Sequence, residues 1–276
     1  HIGTTLPSGF DITQEIDGTG KYLTPGLAEM HGHLPYASAS AKEQEEILFL
    51  YIAGGVTTVR GMLGDPAQFE MRRAIESGEM VGPTLYLAAP SLNGNSVSSV
   101  EDAIAKVKQY KADGWDLLKI HPGLTNDEYH AIAETARELY LPFGGHVPAD
   151  VGIAEALAAK QTSIDHLDGF LELVDGYSHE ITPNELKQIV DVYKIYRPSW
   201  LVPTQALFNI LIGGGDARSI AARPENKFMS AATRRSWANR LYDANKNPNP
   251  HAIRNRQKVL RALSMAGARI VMGSDA

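Results

Sequence analysis

The stretch Pro25-Gly26-Leu27-Ala28-Glu29-Met30-His31-Gly32-His33 reads as an apolar β-strand that ends in two imidazoles. Strand side chains alternate between faces, so His31 and His33, two residues apart, offer both rings to one ligand. Such a pair can grip a divalent metal. Two histidines alone are equally well explained as satisfied core or surface groups. Four more candidate ligands each close a strand-like run: Lys119 in Trp115-Asp116-Leu117-Leu118-Lys119-Ile120, His146 in Phe143-Gly144-Gly145-His146-Val147, His166 in Ser163-Ile164-Asp165-His166-Leu167, and Asp275 in Arg269-Ile270-Val271-Met272-Gly273-Ser274-Asp275.

These runs belong to a regular alternation. Strands are expected near 23–33, 57–62, 82–89, 115–121, 142–147, 163–168, 200–205 and 269–275, and helices near 43–53, 66–77, 100–113, 125–139, 150–159, 183–195 and 250–266. Thr125-Asn126-Asp127-Glu128 is spaced as a capping box, and Gly114 and Gly267 suit left-handed helix stops. The pattern predicts an α/β fold, a (β/α)8 TIM-type barrel without its last helix, over residues 23–276. Chemistry in such barrels sits at the carboxyl ends of the strands, where all six candidate ligands fall. Residues 1–22 lie outside this rhythm: 10–20 show strand alternation and a turn, as in a small β appendage before the barrel. Residues 206–249, broken by Gly213-Gly214-Gly215 and Asn247-Pro248-Asn249-Pro250, form a long insertion suited to a lid or pocket wall, with a helix near 228–242.

Composition narrows the function. The chain has 276 residues, 43% of them hydrophobic, enough for a large buried core. A net charge of −6 without a basic run argues against nucleic acid, and no apolar stretch reaches the roughly 20 residues of a membrane span. The partner expected is a small-molecule substrate, and a homo-oligomer is allowed. With no cysteine, thiolate nucleophiles and Cys-based zinc sites are excluded, so any metal is held by nitrogen and oxygen. That absence is compatible with cytoplasm and periplasm alike. The chain opens on His1-Ile2-Gly3 with no initiator Met, so its natural start is expected to lie upstream.

Pro25-Gly26-Leu27 running into His31-Gly32-His33, followed by Lys119, His146, His166 and the closing Gly273-Ser274-Asp275-Ala276, resembles the amidohydrolase superfamily of metal-dependent hydrolases over about 23–276. Asp116-Leu117-Leu118-Lys119-Ile120 and Ser163-Ile164-Asp165-His166 look most like its imidazolonepropionase-related branch, which includes prolidase-like enzymes. The resemblance implies that residues 1–22 are the remnant of a small N-terminal β-sandwich domain. Beside that family the chain reads as a fragment: the longer β-sandwich half and the final helix after the aspartate strand are missing, which would leave apolar surface exposed at strand eight. Lys160 also stands where a glycine would better stop a helix.

The resemblance implies that His31 and His33, with Asp275, hold the more buried metal, and that His146 and His166 hold a second. It further implies that Lys119 captures carbon dioxide as a carbamate bridging the two ions. Burial favours the neutral amine such capture needs, and the carbamate replaces a cation with an anion between two dications. The metal expected is Zn2+, two ions if Lys119 is carboxylated and one otherwise. Bound water then ionises near pH 7, and Asp275 shuttles its proton as general acid/base to the leaving nitrogen. The bland readings are a snorkelling strand-end lysine for Lys119 and a solvated strand cap for Asp275. His121 shares the strand face of Lys119 and is expected to line the substrate pocket or to bond backbone as a loop histidine; Tyr36, Asn93 and Gln205 follow strand ends and could touch substrate. His130, His179 and His251 read as surface, and Phe49 and Tyr51 as core and collar.

The function expected is hydrolysis of a carbon–nitrogen bond in a cyclic amide, N-acyl or Xaa-Pro-type compound. Phosphotriester or lactone hydrolysis on the same metal site is the enzymatic alternative, and a non-catalytic barrel scaffold the non-enzymatic one.

Overall fold

Among the described residues, apolar runs between glycines and helix caps form eight short strands: β1 Leu27–Gly32, β2 Val56–Gly61, β3 Thr84–Leu87, β4 Leu118–Ile120, β5 Phe143–Gly145, β6 Ser163–Asp165, β7 Trp200–Val202 and β8 Arg269–Ile270. The structure, a computed structural model, describes residues 3–5, 8, 9, 11–196, 199–213, 217–244 and 248–276. Helices α1 Ala41–Ala53, α2 Ala67–Glu76, α3 Val100–Asp113, α4 Asn126–Glu138, α5 Gly152–Ala158 and α6 Pro183–Ile195 fill the connections between β1 and β7. Between β7 and β8 lie α7 Gln205–Leu211, α8 Ala217–Ala221, α9 Ala231–Ala244 and α10 Pro250–Met265.

All strand pairs are parallel, in the orders β1-β2-β3 and β4-β5-β6-β7-β8. Bridges Ala88–Leu117 and Leu92–Ile120 join the first group to the second. Backbone bonds from Met30 N to Met272 O (3.0 Å), Asp275 N to His31 O (2.8 Å) and His33 N to Ala276 O (2.7 Å) close the other seam. The strands therefore circle in sequence order as a TIM-type barrel, as the alternation of the sequence predicts.

The main core fills the space between barrel and helices, where Leu48, Val59, Leu87, Leu118, Ile132, Ile164, Leu201, Val259 and Leu263 are buried together. The inward faces of the strands are instead polar: Glu29, His31, Arg60, Lys119, Ser163 and Asp165 are all buried. Glu29 and His31, and Ser163 and Asp165, are two apart on their strands and so share the inner face.

Helix ends follow sequence chemistry. Thr125 makes the expected capping box with Glu128, Thr182 and Glu185 make a second, and Gly114 stops α3 in the left-handed conformation at φ 86°. Lys160 takes that same conformation after α5, at φ 62°, in the place of the expected glycine.

Three features differ from expectation. The strands are shorter than their apolar runs, and the backbone turns left-handed just past β6 and β7, at His166, Leu167 and Thr204. Residues 11–22 form no strand; they run exposed, with a turn closed by Lys21 N to Gly18 O (2.9 Å), because no neighbouring strand edge pairs with them. Phe49 is 54% exposed, since it lies on the outer face of α1, whereas Leu48 beside it is fully buried. Leu27 and Met272, at the seam between the last strand and the first, are also about half exposed.

Candidate metal centre

The carboxyl ends of β1, β4, β5, β6 and β8 converge at one rim. His31 Nε2 lies 3.4 Å from Lys119 Nζ and 3.4 Å from Asp275 Oδ1, and His33 Nε2 lies 2.7 Å from the same oxygen. One donor atom each from His31, His33 and Asp275 falls within 4.8 Å of the others, a grouping compact enough to hold a metal ion. The rings continue across the rim: His31 and His166 have centroids 4.6 Å apart, and His166 and His146 4.4 Å.

Each of these three imidazoles is tethered through Nδ1. His31 Nδ1 donates to Asp165 Oδ2 (2.7 Å), His146 Nδ1 donates to Asp168 Oδ2 (2.7 Å), and His166 Nδ1 bonds Thr204 Oγ1 (2.8 Å). A carboxylate can only accept, so His31 and His146 in their neutral forms carry a lone pair on Nε2. Outer partners of this kind fix tautomer and ring orientation in metal-binding histidines. The donor set, imidazole nitrogen and carboxylate oxygen with no thiolate, fits zinc or a similar divalent ion.

The electrostatics are set by charges inside the barrel. Burial alone would raise the Asp165 carboxyl, but Arg60 and His31 outweigh it and hold the group well below the usual carboxylate range. Arg60 completes a buried network, donating to Met30 O (2.6 Å), to Ser163 Oγ (2.9 Å) and to both oxygens of Asp165 (3.3 Å). Asp275 is likewise kept ionised: burial pushes it up, and the adjoining His31 and His33 rings pull it further down. Burial lowers the Lys119 ammonium to about 8, against the attraction of Asp165 and Asp275. His166 is lowered to about 2 and His121 to about 3, by burial first and then by the surrounding imidazoles and Lys119.

Close approach explains two glycines. A Cβ at Gly145 would stand 2.5 Å from Ile120 O and 3.0 Å from Lys119 Cδ, and one at Gly273 would stand 2.4 Å from Val202 Cγ1 and 2.9 Å from His31 Cβ. Both keep the path of a candidate ligand open.

The remaining sequence candidates fall in different places. His121 stacks on His146, with centroids 4.7 Å apart, and bonds Ser91 Oγ through Nδ1. Asn93 donates to Ser91 Oγ (2.9 Å). Tyr36 is exposed and lines, with His33 and Leu34, a cavity of about 330 Å³. Gln205 turns toward Arg256, whose Nε donates to its Oε1 (3.0 Å). Tyr51 reaches the rim from α1, its hydroxyl within hydrogen-bond distance of two carbonyls, His33 O (3.2 Å) and Ala276 O (3.2 Å). His130 and His179 sit outside on Glu155 and Glu185.

Sequence reasoning did not single out Asp165, Asp168, Arg60, Thr204 or Arg256. The fully buried Arg256 grips the loops after β6 and β7, donating to His166 O (2.6 Å) and Pro203 O (2.7 Å), with its guanidinium 3.6 Å from the Phe208 ring centre. A signal existed for the aspartates, which flank His166 in Asp165-His166-Leu167-Asp168.

Residues 22–276 match the sequence profile of the amidohydrolase family. The chain belongs to the amidohydrolase family. Among solved structures, this chain is similar to the bottromycin amidohydrolase AH, with a TM-score of 0.66 and 22% identity over 91% of this chain and 58% of that one. It is also similar to a Xaa-Pro dipeptidase crystallised with methionine in its active site (TM-score 0.59, 19% identity, 91% and 66% covered). A third similar structure is A. niger ochratoxinase (TM-score 0.60, 17% identity, 91% and 63% covered). At these identities the likeness shows the fold alone, and the chain spans less than two thirds of each of those proteins. No curated protein sequence matches it.

Proposed function

We propose that this amidohydrolase cleaves the carbon–nitrogen bond of a cyclic amide, N-acyl or Xaa-Pro-type small molecule, using zinc held by His31, His33, Lys119, His146, His166 and Asp275. The carrying observation is the grouping of His31, His33 and Asp275 donor atoms within 4.8 Å, beside two further imidazoles anchored at Nδ1. Zinc supplies a hydroxide nucleophile at neutral pH and polarises the scissile carbonyl.

The chain's own residues divide the remaining work. Asp165 and Asp168 hold His31 and His146 in the tautomer that leaves Nε2 free to ligate. Asp275 Oδ1 is occupied by His33, while Oδ2 makes no hydrogen bond among the described residues. Oδ2 is therefore the oxygen assigned to take the proton of the attacking water and deliver it to the departing nitrogen. Lys119, lowered to about 8 by burial, has a neutral-amine population at physiological pH, as carbamate formation requires. With that modification the site takes two zinc ions, without it one. Residues 23–276 act as the hydrolase barrel in this reading, and 1–22 as part of a small β-unit.

The test is turnover by zinc-reconstituted protein on four panels: Xaa-Pro dipeptides and N-acyl amino acids, cyclic amides, lactones, and phosphotriesters. Zinc-dependent cleavage in the first two supports the reading. Cleavage confined to lactones or phosphotriesters replaces the substrate class, and zinc content below about 0.2 equivalents after reconstitution favours a scaffold without metal chemistry.

A further inference from the structure

Loops following β3 and β4 meet at an unusually close glycine contact. A Cβ at Gly94 would lie 2.3 Å from Gly123 O, so only glycine allows the two backbones to touch there. The contact brings Ser91 and Asn93 against His121, and a chain of hydrogen bonds then fixes where each proton sits. Asn93 Oδ1 accepts from Asn95 N (2.8 Å) and Ser96 N (3.0 Å), which orients its amide so that Nδ2 donates to Ser91 Oγ (2.9 Å). Ser91 Oγ, already accepting there, has a single hydrogen to give, and the ring nitrogen within its reach is His121 Nδ1. Donation of that hydrogen to a lone pair on Nδ1 satisfies the hydroxyl and puts the hydrogen of a neutral imidazole on Nε2. That nitrogen makes no hydrogen bond among the described residues, and the ring lies flat against His146 of the candidate metal centre.

We propose that His121, held in its Nε2–H tautomer by the Asn93–Ser91 relay, is a substrate-contacting hydrogen-bond donor that stabilises the oxyanion developing on the scissile carbonyl. The proposal rests on the hydrolytic reading above. It gives His121 a role distinct from ligation, since a lone pair on Nδ1 committed to Ser91 and a hydrogen on Nε2 leave the ring no free electron pair for a metal. A neutral donor fixed in advance stabilises developing negative charge without reorganising during the reaction.

Long-range 1H–15N correlation NMR of protein labelled at histidine, recorded with and without zinc, reads the tautomer directly. His121 is identified by its absence from H121F. The expected spectrum shows hydrogen on Nε2 and none on Nδ1, with that preference lost in S91A. Methylphosphonate, a tetrahedral oxyanion, is the binding probe for the zinc-loaded protein. It is expected to shift the His121 Nε2–H signal and to bind H121F about tenfold or more weakly at unchanged zinc content, as loss of a hydrogen bond to a charged group predicts. H121Q, which keeps a donor near the same position, is expected to recover most of that loss. A hydrogen on Nδ1, or equal methylphosphonate binding by H121F and the parent, overturns the proposal. Neither readout depends on a known substrate. Failure of every amide panel with these results intact would count against the carbon–nitrogen reading, whereas amide turnover unchanged in H121F would count against His121 alone.

Discussion

Asp165 joins stability to chemistry in a single carboxylate. It is fully buried, and it neutralises Arg60 while orienting His31. Removing it strands a buried guanidinium, so Asp165→Ala is expected to lower unfolding stability by about 3–5 kcal/mol in urea titrations. The same change frees His31 Nδ1 and is expected to weaken zinc binding by about 10–100-fold, measured by competition with a chelator. Asp275→Asn should separate binding from turnover, retaining zinc by elemental analysis while the rate falls below about a tenth of the parent's, whereas His31→Ala should lose zinc outright. The residue types that converge at the rim were visible in the sequence because each ends an apolar run. Their supporting partners were hidden. Asp165 directly precedes His166 and, on a regular strand, would face the other way; left-handed backbone at His166 and Leu167 breaks the alternation and lets both side chains reach the same interior.

Among the elements, α5 and α6 show how local chemistry is written into helix ends. Lys160 stops the chain after α5 at φ 62°, a conformation that a side chain disfavours, and it is exposed. Lys160→Gly is therefore expected to stabilise the protein by about 0.5–1 kcal/mol, seen as a higher urea midpoint at unchanged slope; a lower midpoint would show that the lysine makes up for its backbone cost. At α6, Glu185 accepts from Thr182 N (2.8 Å), Thr182 Oγ1 (2.7 Å) and His179 Nε2 (2.9 Å). These bonds lower its carboxyl to about 2 from an ordinary 4.5. A group lowered on folding stabilises above its unfolded value and stops doing so as pH falls through its folded one. The gap in urea midpoint between parent and E185Q should thus be full above pH about 5 and close as pH falls toward about 2. Helix positions were the most legible part of the fold, since period and caps agree; α3 and α6 occupy the very spans their patterns predict. Strand ends were less so, because an apolar run continues past the last ladder bond. The short α7 and α8 carry too few turns for a period to emerge.

At the scale of the whole molecule, ring closure and site formation are the same event. Asp275 reaches His33 only because β8 returns beside β1, where Asp275 N donates to His31 O (2.8 Å) and Ser274 N donates to buried Glu29 (3.0 Å). A metal bridging the first and last strands binds the native state and not the unfolded chain, so zinc at about a thousand times its dissociation constant should add about 4 kcal/mol and raise the melting temperature by several degrees. Unchanged melting on adding zinc or a chelator would deny that coupling. The most direct measurement is anomalous diffraction at the zinc edge from crystals of the zinc-reconstituted protein. A zinc peak enclosed by His31, His33 and Asp275 is the result predicted. Full zinc occupancy elsewhere, with those three side chains still hydrogen-bonded only to one another, would contradict it.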